Sequence, residues 1–259
     1  MSEKRPLILV TNDDGITSKG ISTLINVVKD LGEIVVVAPD SPQSGKGHAI
    51  TIYEPLRLTA SNLFKGIEAY ECTGTPADCV KIAKNHLLKD RNIDLVVSGI
   101  NHGSNSSISV LYSGTMSAAI EAAIEAIPAI GFSLCDYGQD PVFSHAEGYV
   151  LQIIKEALNK GLEKNIALNV NLPGSKENNP IKGIKICRQA KAKWQEVYEK
   201  RRDPLGRDYF WTTGELSNHD QGEDTDEWAL ANNFISIVPC QFDLTAYHLI
   251  STLNSNWNI

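Results

Sequence analysis

The chain has 259 residues, 42% of them hydrophobic and 21% charged, and carries a formal net charge of −7. Such a length accommodates one large α/β domain with a substantial core, and the negative balance excludes a global basic field able to hold a nucleic-acid backbone or an anionic membrane surface. The five cysteines, odd in number and without a Cys-x-x-Cys pair, argue against a disulfide framework or a zinc site.

The chain opens with the charged stretch Met1–Arg5, which leads straight into an apolar run, and no run approaches the ~20 residues of a membrane span. A cytoplasmic protein is expected. Leu7 to Val10 is short enough for one buried strand, as in a parallel sheet covered on both faces. It ends in Asn12-Asp13-Asp14-Gly15, so two carboxylates stand at a strand's carboxyl end, the edge where open α/β sheets bind ligands. Two hard oxygen donors at one point suit a divalent cation, although Asn, Asp and Gly are also what a plain turn wants. Thr17 or Ser18 caps a helix over Lys19–Leu31.

Glu33 to Ala38 supplies a second buried strand and completes a right-handed parallel unit. The loop from Pro39 to His48 therefore leaves the same edge as Asp13 and brings Ser44 and Lys46 to it. Its Gly45-Lys46 pair does not form a nucleotide-binding phosphate loop, because Asp40 and Gly47 stand where Gly and Ser or Thr are needed. Pro55 to Leu58 and Ile67 to Cys72 read as further strands, the first at an edge. Thr75 caps a helix opened by Pro76 with Asp78 in its first turn; Cys79, Val80, Ile82, Ala83 and Leu87 face inward, and Lys81, Lys84 and Lys89 outward.

A third strong strand, Asp94 to Ser98, exits through Asn101 and Asn105. Asn101 offers a neutral carbonyl ligand, and Asn105 offers amide donors to an oxyanion. Tyr112-Ser113-Gly114-Thr115 opens a helix over Met116–Ala126 whose first-turn N–H groups form an anion site, or are simply capped by Ser113 and Thr115. Pro128 to Ser133 is a fourth core strand, Ser144 to Asn165 an amphipathic helix, and Ala167 to Leu172 and Lys182 to Cys187 two more strands. Trp194–Arg202 and Arg207–Thr213 flank the turn Asp203-Pro204-Leu205-Gly206. This hairpin carries Trp194, Val197, Tyr198, Tyr209, Phe210 and Trp211, an aromatic face better explained as a subunit contact than as an independent fold. Glu223–Glu227 begins a short helix, Phe234–Val238 is a strand, and Asp243–Leu253 is irregular or helical.

These contributions converge on one edge of one sheet, and with no His pair or thiolate among them they favour Mg²⁺ or Mn²⁺. The motifs Thr11-Asn12-Asp13-Asp14-Gly15-Ile16, Ala38-Pro39-Asp40 with Ser44-Gly45, Gly74-Thr75-Pro76-Ala77-Asp78, Ser98-Gly99-Ile100-Asn101 with Gly103 and Asn105, and Tyr112-Ser113-Gly114-Thr115 closely resemble the SurE (survival protein E) family of nucleotidases and acid phosphatases. Arg207–Trp211, Asp224–Ala229 and Ile235–Thr245 extend the resemblance over nearly the whole length. It implies a Rossmann-like, mostly parallel sheet with helices on both faces, in a single domain over 1–259 with its core at about 1–187 and an oligomerisation extension at about 188–259. It further implies hydrolysis of nucleoside monophosphates with one divalent metal per subunit, Mg²⁺ or Mn²⁺. Asp13, Asp14, Ser44 and Asn101 would hold the metal, with Asp13 and Asp14 catalytic. Asn105, Ser113, Gly114 and Thr115 would bind the phosphate, and the hairpin and arm would build a homodimer or homotetramer. Ser107 and Ser109 depart from the family, which usually has Gly and Asp there.

The attacking group is then water or the Asp13 carboxylate. His48 and His102 are candidates to protonate the leaving oxygen, against the plainer reading of each as a surface histidine. Two rival functions stand beside this one: a non-catalytic nucleotide-binding or sensor protein, and a phosphatase acting on short polyphosphate or oligonucleotide ends. Neither a membrane nor stably bound nucleic acid is expected.

Overall fold

A computed structural model describes residues 5–175 and 179–257; of the expected features, the residues before Arg5 lie outside them. The strands are β1 (Leu7–Thr11), β2 (Glu33–Pro39), β3 (Leu58–Ala60), β4 (Glu68–Cys72), β5 (Leu95–His102), β6 (Ala129–Cys135), β7 (Ile166–Pro173), β8 (Ile184–Ile186), β9 (Ala192–Arg202), β10 (Asp208–Asn218) and β11 (Ile235–Gln241). The helices are α1 (Lys19–Val28), α2 (Pro76–Ile82), α3 (Gly114–Ile124), α4 (Glu147–Lys160), α5 (Asp226–Ala231) and α6 (Tyr247–Asn256). Nine strands form one sheet in the order β3-β4-β2-β1-β5-β6-β7-β11-β8. Its pairs are parallel except β3 with β4 and β7 with β11.

Alternation along β1 explains the two layers of helices. Ile8 and Val10 pack with Ile21, Leu24 and Ile25 of α1 and with Val150, Ile153 and Ile154 of α4. Leu7 and Leu9 pack on the other face with Cys79 and Val80 of α2 and with Met116, Ala119 and Ala122 of α3. A strand apolar at every position is thus the signature of a sheet buried on both sides.

Several boundaries differ from the sequence reading. The Ser144–Asn165 helix contracts to Glu147–Lys160, because Gly161 adopts φ 75° at its end. The first helix stops at Val28, and the edge strand starts at Leu58, after the Pro55 segment. β5 runs on to His102, with one extra residue between its pairs Ser98–Gly131 and Asn101–Ser133. Gly99 permits this bulge: it has φ +125°, and a Cβ there would lie 2.3 Å from the Phe132 carbonyl oxygen.

The hairpin β9–β10 is longer at its base than expected, pairing Ala192 with Asn218 and Arg202 with Asp208, and it forms a sheet of its own. Val197, Tyr198, Phe210 and Trp211 are exposed on it, and none of the residues of α6 is buried.

Candidate active site

The carboxyl ends of β1 and β5 lie side by side, with Thr11 opposite Ser98, so the Asp13 turn and the Asn101 segment share one edge. Asn12 builds the turn: its amide donates to the Gly15 carbonyl at 2.9 Å and to Ser18 Oγ at 2.9 Å. Ser18 in turn caps α1, leaving Thr17 exposed.

Asp13 is only 3% exposed. Its carboxylate accepts from the Thr115 hydroxyl at the start of α3, and its carbonyl accepts from the Gln43 N–H at 2.7 Å. Gly114 lets the α3 backbone approach this closely, since a Cβ there would sit 2.6 Å from Asp13 Cβ. Burial pushes the Asp13 carboxyl up to about 6, with the Thr115 hydroxyl opposing and the Asp14 charge adding to the rise. Asp14, half-buried, accepts from the His102 N–H at 3.1 Å, and burial holds it above the usual carboxylate range as well. Among the described residues no Lys or Arg forms an ion pair with either acid.

The start of α3 therefore receives a carboxylate of the protein itself. Ser113 caps the helix by accepting from Met116 N at 3.0 Å, which leaves its hydroxyl proton free for an anion. The Thr115 hydroxyl is committed to Asp13, and Gly114 serves through its backbone. Asn101 donates to the Gly103 carbonyl at 2.8 Å, so its Oδ1 is the atom left for a ligand. Asn105 gives one amide proton to Ser133 Oγ at 2.8 Å and keeps the other. Ser44 is exposed, directly after Gln43, in a loop tied to the segment just before α3 by Gly47 N donating to the Tyr112 carbonyl at 3.2 Å.

Two uncompensated, largely buried carboxylates beside neutral amide oxygens fit a hard divalent cation. The Asn12 Oδ1, buried without a hydrogen-bond partner, belongs to the same turn. Among the described residues no group of three or more His, Cys, Asp or Glu comes together, so a cation here relies on two acids and neutral oxygens.

The Thr75–Asp78 capping box has a second task that sequence reasoning did not assign. Asp78 accepts from Thr51 N–H and hydroxyl, and the Thr75 hydroxyl donates to the Ala49 carbonyl at 2.7 Å, which pins the exit of the Ser44 loop. His48, in that loop, pairs at 2.9 Å with Glu121 of α3, which also holds Lys81 at 2.9 Å. Lys81, its side chain still 43% exposed, lies outward as expected and reaches across to this carboxylate. His102 offers its backbone N–H to Asp14 and leaves its side chain exposed. A mostly apolar groove of about 830 Å³ runs from His48 and Ser113 along Ser117 and Ile120 to the end of β11.

The model of the family "Survival protein SurE" matches residues 8–196. The chain belongs to the SurE family. It is 67% identical to the 5'-nucleotidase SurE of Cytophaga hutchinsonii over 98% of this chain and 97% of that protein. It is 48% identical to the 5'-nucleotidase SurE of Bacteroides fragilis over 100% of both. The solved SurE protein from Aquifex aeolicus, 38% identical, superposes with a TM-score of 0.82 over 96% of this chain and 99% of that one.

Further residues outside the expected set support this edge of the sheet. Asn171 accepts from Asn105 N at 2.8 Å and donates to Asn169, which donates to the Asn105 carbonyl at 2.9 Å. Their signal was the Asn-Val-Asn alternation of residues 169–171, polar side chains on one face of an otherwise buried strand. Ser107 is buried with φ 52°, a left-handed conformation that glycine adopts more readily, and Ser109 accepts from the Trp194 indole N–H at 3.2 Å.

Proposed function

We propose that this chain is a 5'-nucleotidase, which hydrolyses nucleoside monophosphates to nucleoside and inorganic phosphate with a divalent cation, Mg²⁺ or Mn²⁺, one per subunit. The observation that carries the reading is the largely buried Asp13–Asp14 pair, without an ion-pairing Lys or Arg among the described residues, set beside the free donors of Ser113 and Asn105. Asp13, Asp14, Asn101 Oδ1 and the Ser44 hydroxyl would hold the cation. When bound, the cation neutralises charge developing on the phosphate and acidifies water.

The protein's own groups do the rest. Ser113 and Asn105 donate to phosphate oxygens and strengthen as charge grows there, which favours the transition state over the ground state. The Gly114 and Thr115 backbone forms the wall beneath them. The hydrogen bond from Thr115 occupies an Asp13 oxygen and favours water over Asp13 as nucleophile. Recovery of an acyl-phosphate on Asp13 overturns that choice. A nucleoside esterified to a phosphate at Ser113 has the apolar groove beside it to enter.

The hairpin and α6 form the assembly extension of a single α/β domain, through which the chain makes a homodimer or homotetramer. The supporting observation is their exposed aromatic and aliphatic surface. No helix among the described residues is long and apolar enough to cross a membrane; the proposed location is the cytoplasm. Release of inorganic phosphate from a panel of nucleoside monophosphates, with Mg²⁺, with Mn²⁺ and with chelator, tests the function. Turnover that chelator abolishes is expected. Nucleotide binding without release overturns the enzymatic reading, and preference for short polyphosphate overturns the substrate class.

A further inference from the structure

Asn105 belongs to a loop with few apolar anchors: Ser104, Asn105, Ser106 and Ser107 follow one another with no large side chain to pack. Such a segment opens locally unless polar contacts tie it down. Asn171 and Asn169 hold Asn105 itself, and two residues on the loop is tied a second time, by a carboxylate 119 residues away in sequence. Asp226 Oδ2 accepts from Ser107 N at 2.7 Å. Its other oxygen accepts from Ala190 N at 2.9 Å and from Glu227 N at 2.9 Å.

Asp226 is 0% exposed. Its backbone N–H donates to the Arg188 carbonyl at 3.0 Å, which fixes it against the chain entering β9. Ser107 completes the junction: its hydroxyl donates to the Ala190 carbonyl at 2.9 Å and accepts from Ala192 N, the first residue of β9, at 3.2 Å. Next to it, Ser106 donates to Glu227 Oε1 at 2.5 Å. A non-glycine residue at φ 52° persists only where its surroundings over-determine it, and here both its N–H and its hydroxyl are engaged.

We propose that Asp226 is a positioning residue for the phosphate-binding loop: with Ser107 it locks Asn105 to the root of the aromatic hairpin, so the phosphate grip depends on the arm's attachment. The inference rests on the nucleotidase reading of Asn105. It separates two jobs within the site. The Asp13–Asp14 turn is held by α3 and by Asn12, whereas the Asn105 loop is held by Asn169 and Asn171 of β7 and, two residues on, by α5 and β9. Loss of the Asp226 tether therefore loosens the phosphate and leaves the cation site in place. An Asn at this position cannot reproduce the tether, because one oxygen becomes an NH₂ facing N–H donors.

The test uses the full-length protein and two variants, Asp226→Asn and Ser107→Gly, with folding checked by circular dichroism. Ser107→Gly suits the left-handed backbone and removes the hydroxymethyl with its two bonds while leaving the N–H bond to Asp226, so it tests the serine half of the junction if Asp226→Asn does not fold. For Asp226→Asn, the KM for a nucleoside monophosphate and the Ki for inorganic phosphate are expected to rise about 10-fold or more, with a smaller rise, about 3-fold, for Ser107→Gly. Mn²⁺ affinity, read from the free-ion electron paramagnetic resonance signal, stays within about 2-fold of the parent. Unchanged KM and Ki in folded variants overturn the proposal, and so does a fall in Mn²⁺ affinity parallel to that in phosphate affinity, the mark of general damage. If the parent releases no phosphate from nucleotides, the nucleotidase reading falls. Weakened binding of inorganic phosphate by the variants, measured calorimetrically, still decides the role of Asp226.

Discussion

Asp13 and Thr115 stand 102 residues apart in sequence, yet the Thr115 hydroxyl donates to the Asp13 carboxylate at the start of α3. This bond opposes the rise that burial imposes on the Asp13 carboxyl. Replacing Thr115 by Val removes the donor and raises the carboxyl further. A bond to a charged group shifts a pKa by about one to two units, so in chelator-treated protein the titration of Asp13 moves to higher pH by that amount. Thr115→Ser, which keeps the hydroxyl, leaves the titration in place. Carboxyl titrations of the three chelator-treated proteins, followed by nuclear magnetic resonance, check the outcome.

The same carboxyl sets a stability signature in chelator-treated protein. Its folded value is about 6 against an ordinary 3.8, so between these pH values the folded chain binds a proton that the unfolded chain does not. Stability from this group is therefore present at acid pH and lost as pH rises through about 6. The loss is on the order of 3 kcal/mol above that window, from about 1.36 kcal/mol per unit. Asp13→Asn lacks this slope, and denaturant midpoints of parent and variant, compared across pH, should converge at acid pH and separate in favour of the variant near neutrality. The same variant loses its turnover by about 10³-fold or more, as expected for removal of a transition-state contact.

Gly114 divides activity from fold. A Cβ there meets Asp13 Cβ at 2.6 Å, so Gly114→Ala displaces the carboxylate or the helix start. A displacement of about 1 Å costs about 10²-fold in rate, while Ala contributes up to about 1 kcal/mol of helix propensity against the clash. We expect kcat/KM to fall by about that factor, with a melting temperature close to the parent's. Parallel loss of both would contradict the assignment.

The hairpin's two exposed faces make a separate prediction. Trp211 and Phe210 are each 57% exposed on a two-stranded sheet. Sedimentation should find the parent as a dimer or larger, and Trp211→Glu with Phe210→Glu should yield a monomer, since loss of a central aromatic anchor costs about 2 kcal/mol or more.

Much of this architecture was legible in the sequence. The unbroken apolar runs Leu7–Val10 and Leu95–Val97 became adjacent parallel strands, and the acids and Asn101 emerged at their shared edge. Local grammar also held at Thr75 and Ser113, where cap residues begin α2 and α3. The supports of the site were not legible, because they are pairings across long separations. Nothing near Asp226 announces that its carboxylate meets Ser107, and nothing near Thr115 announces that its hydroxyl serves Asp13. The extension of β5 to His102 escaped notice for a related reason: Gly99 reads as a strand end when in fact it carries a bulge.

That extra residue between Ser98 and Asn101 constrains any attempt to tidy the sheet. Deleting one residue would restore an even ladder with β6 in which Asn101 still pairs with Ser133, but it would remove the bulge at Gly99 and the local bend it gives the strand. An idealised redesign of β5 would thus gain regularity and forfeit the aim of the segment that carries Asn101, which makes this irregular step the place where the backbone has the least room to drift.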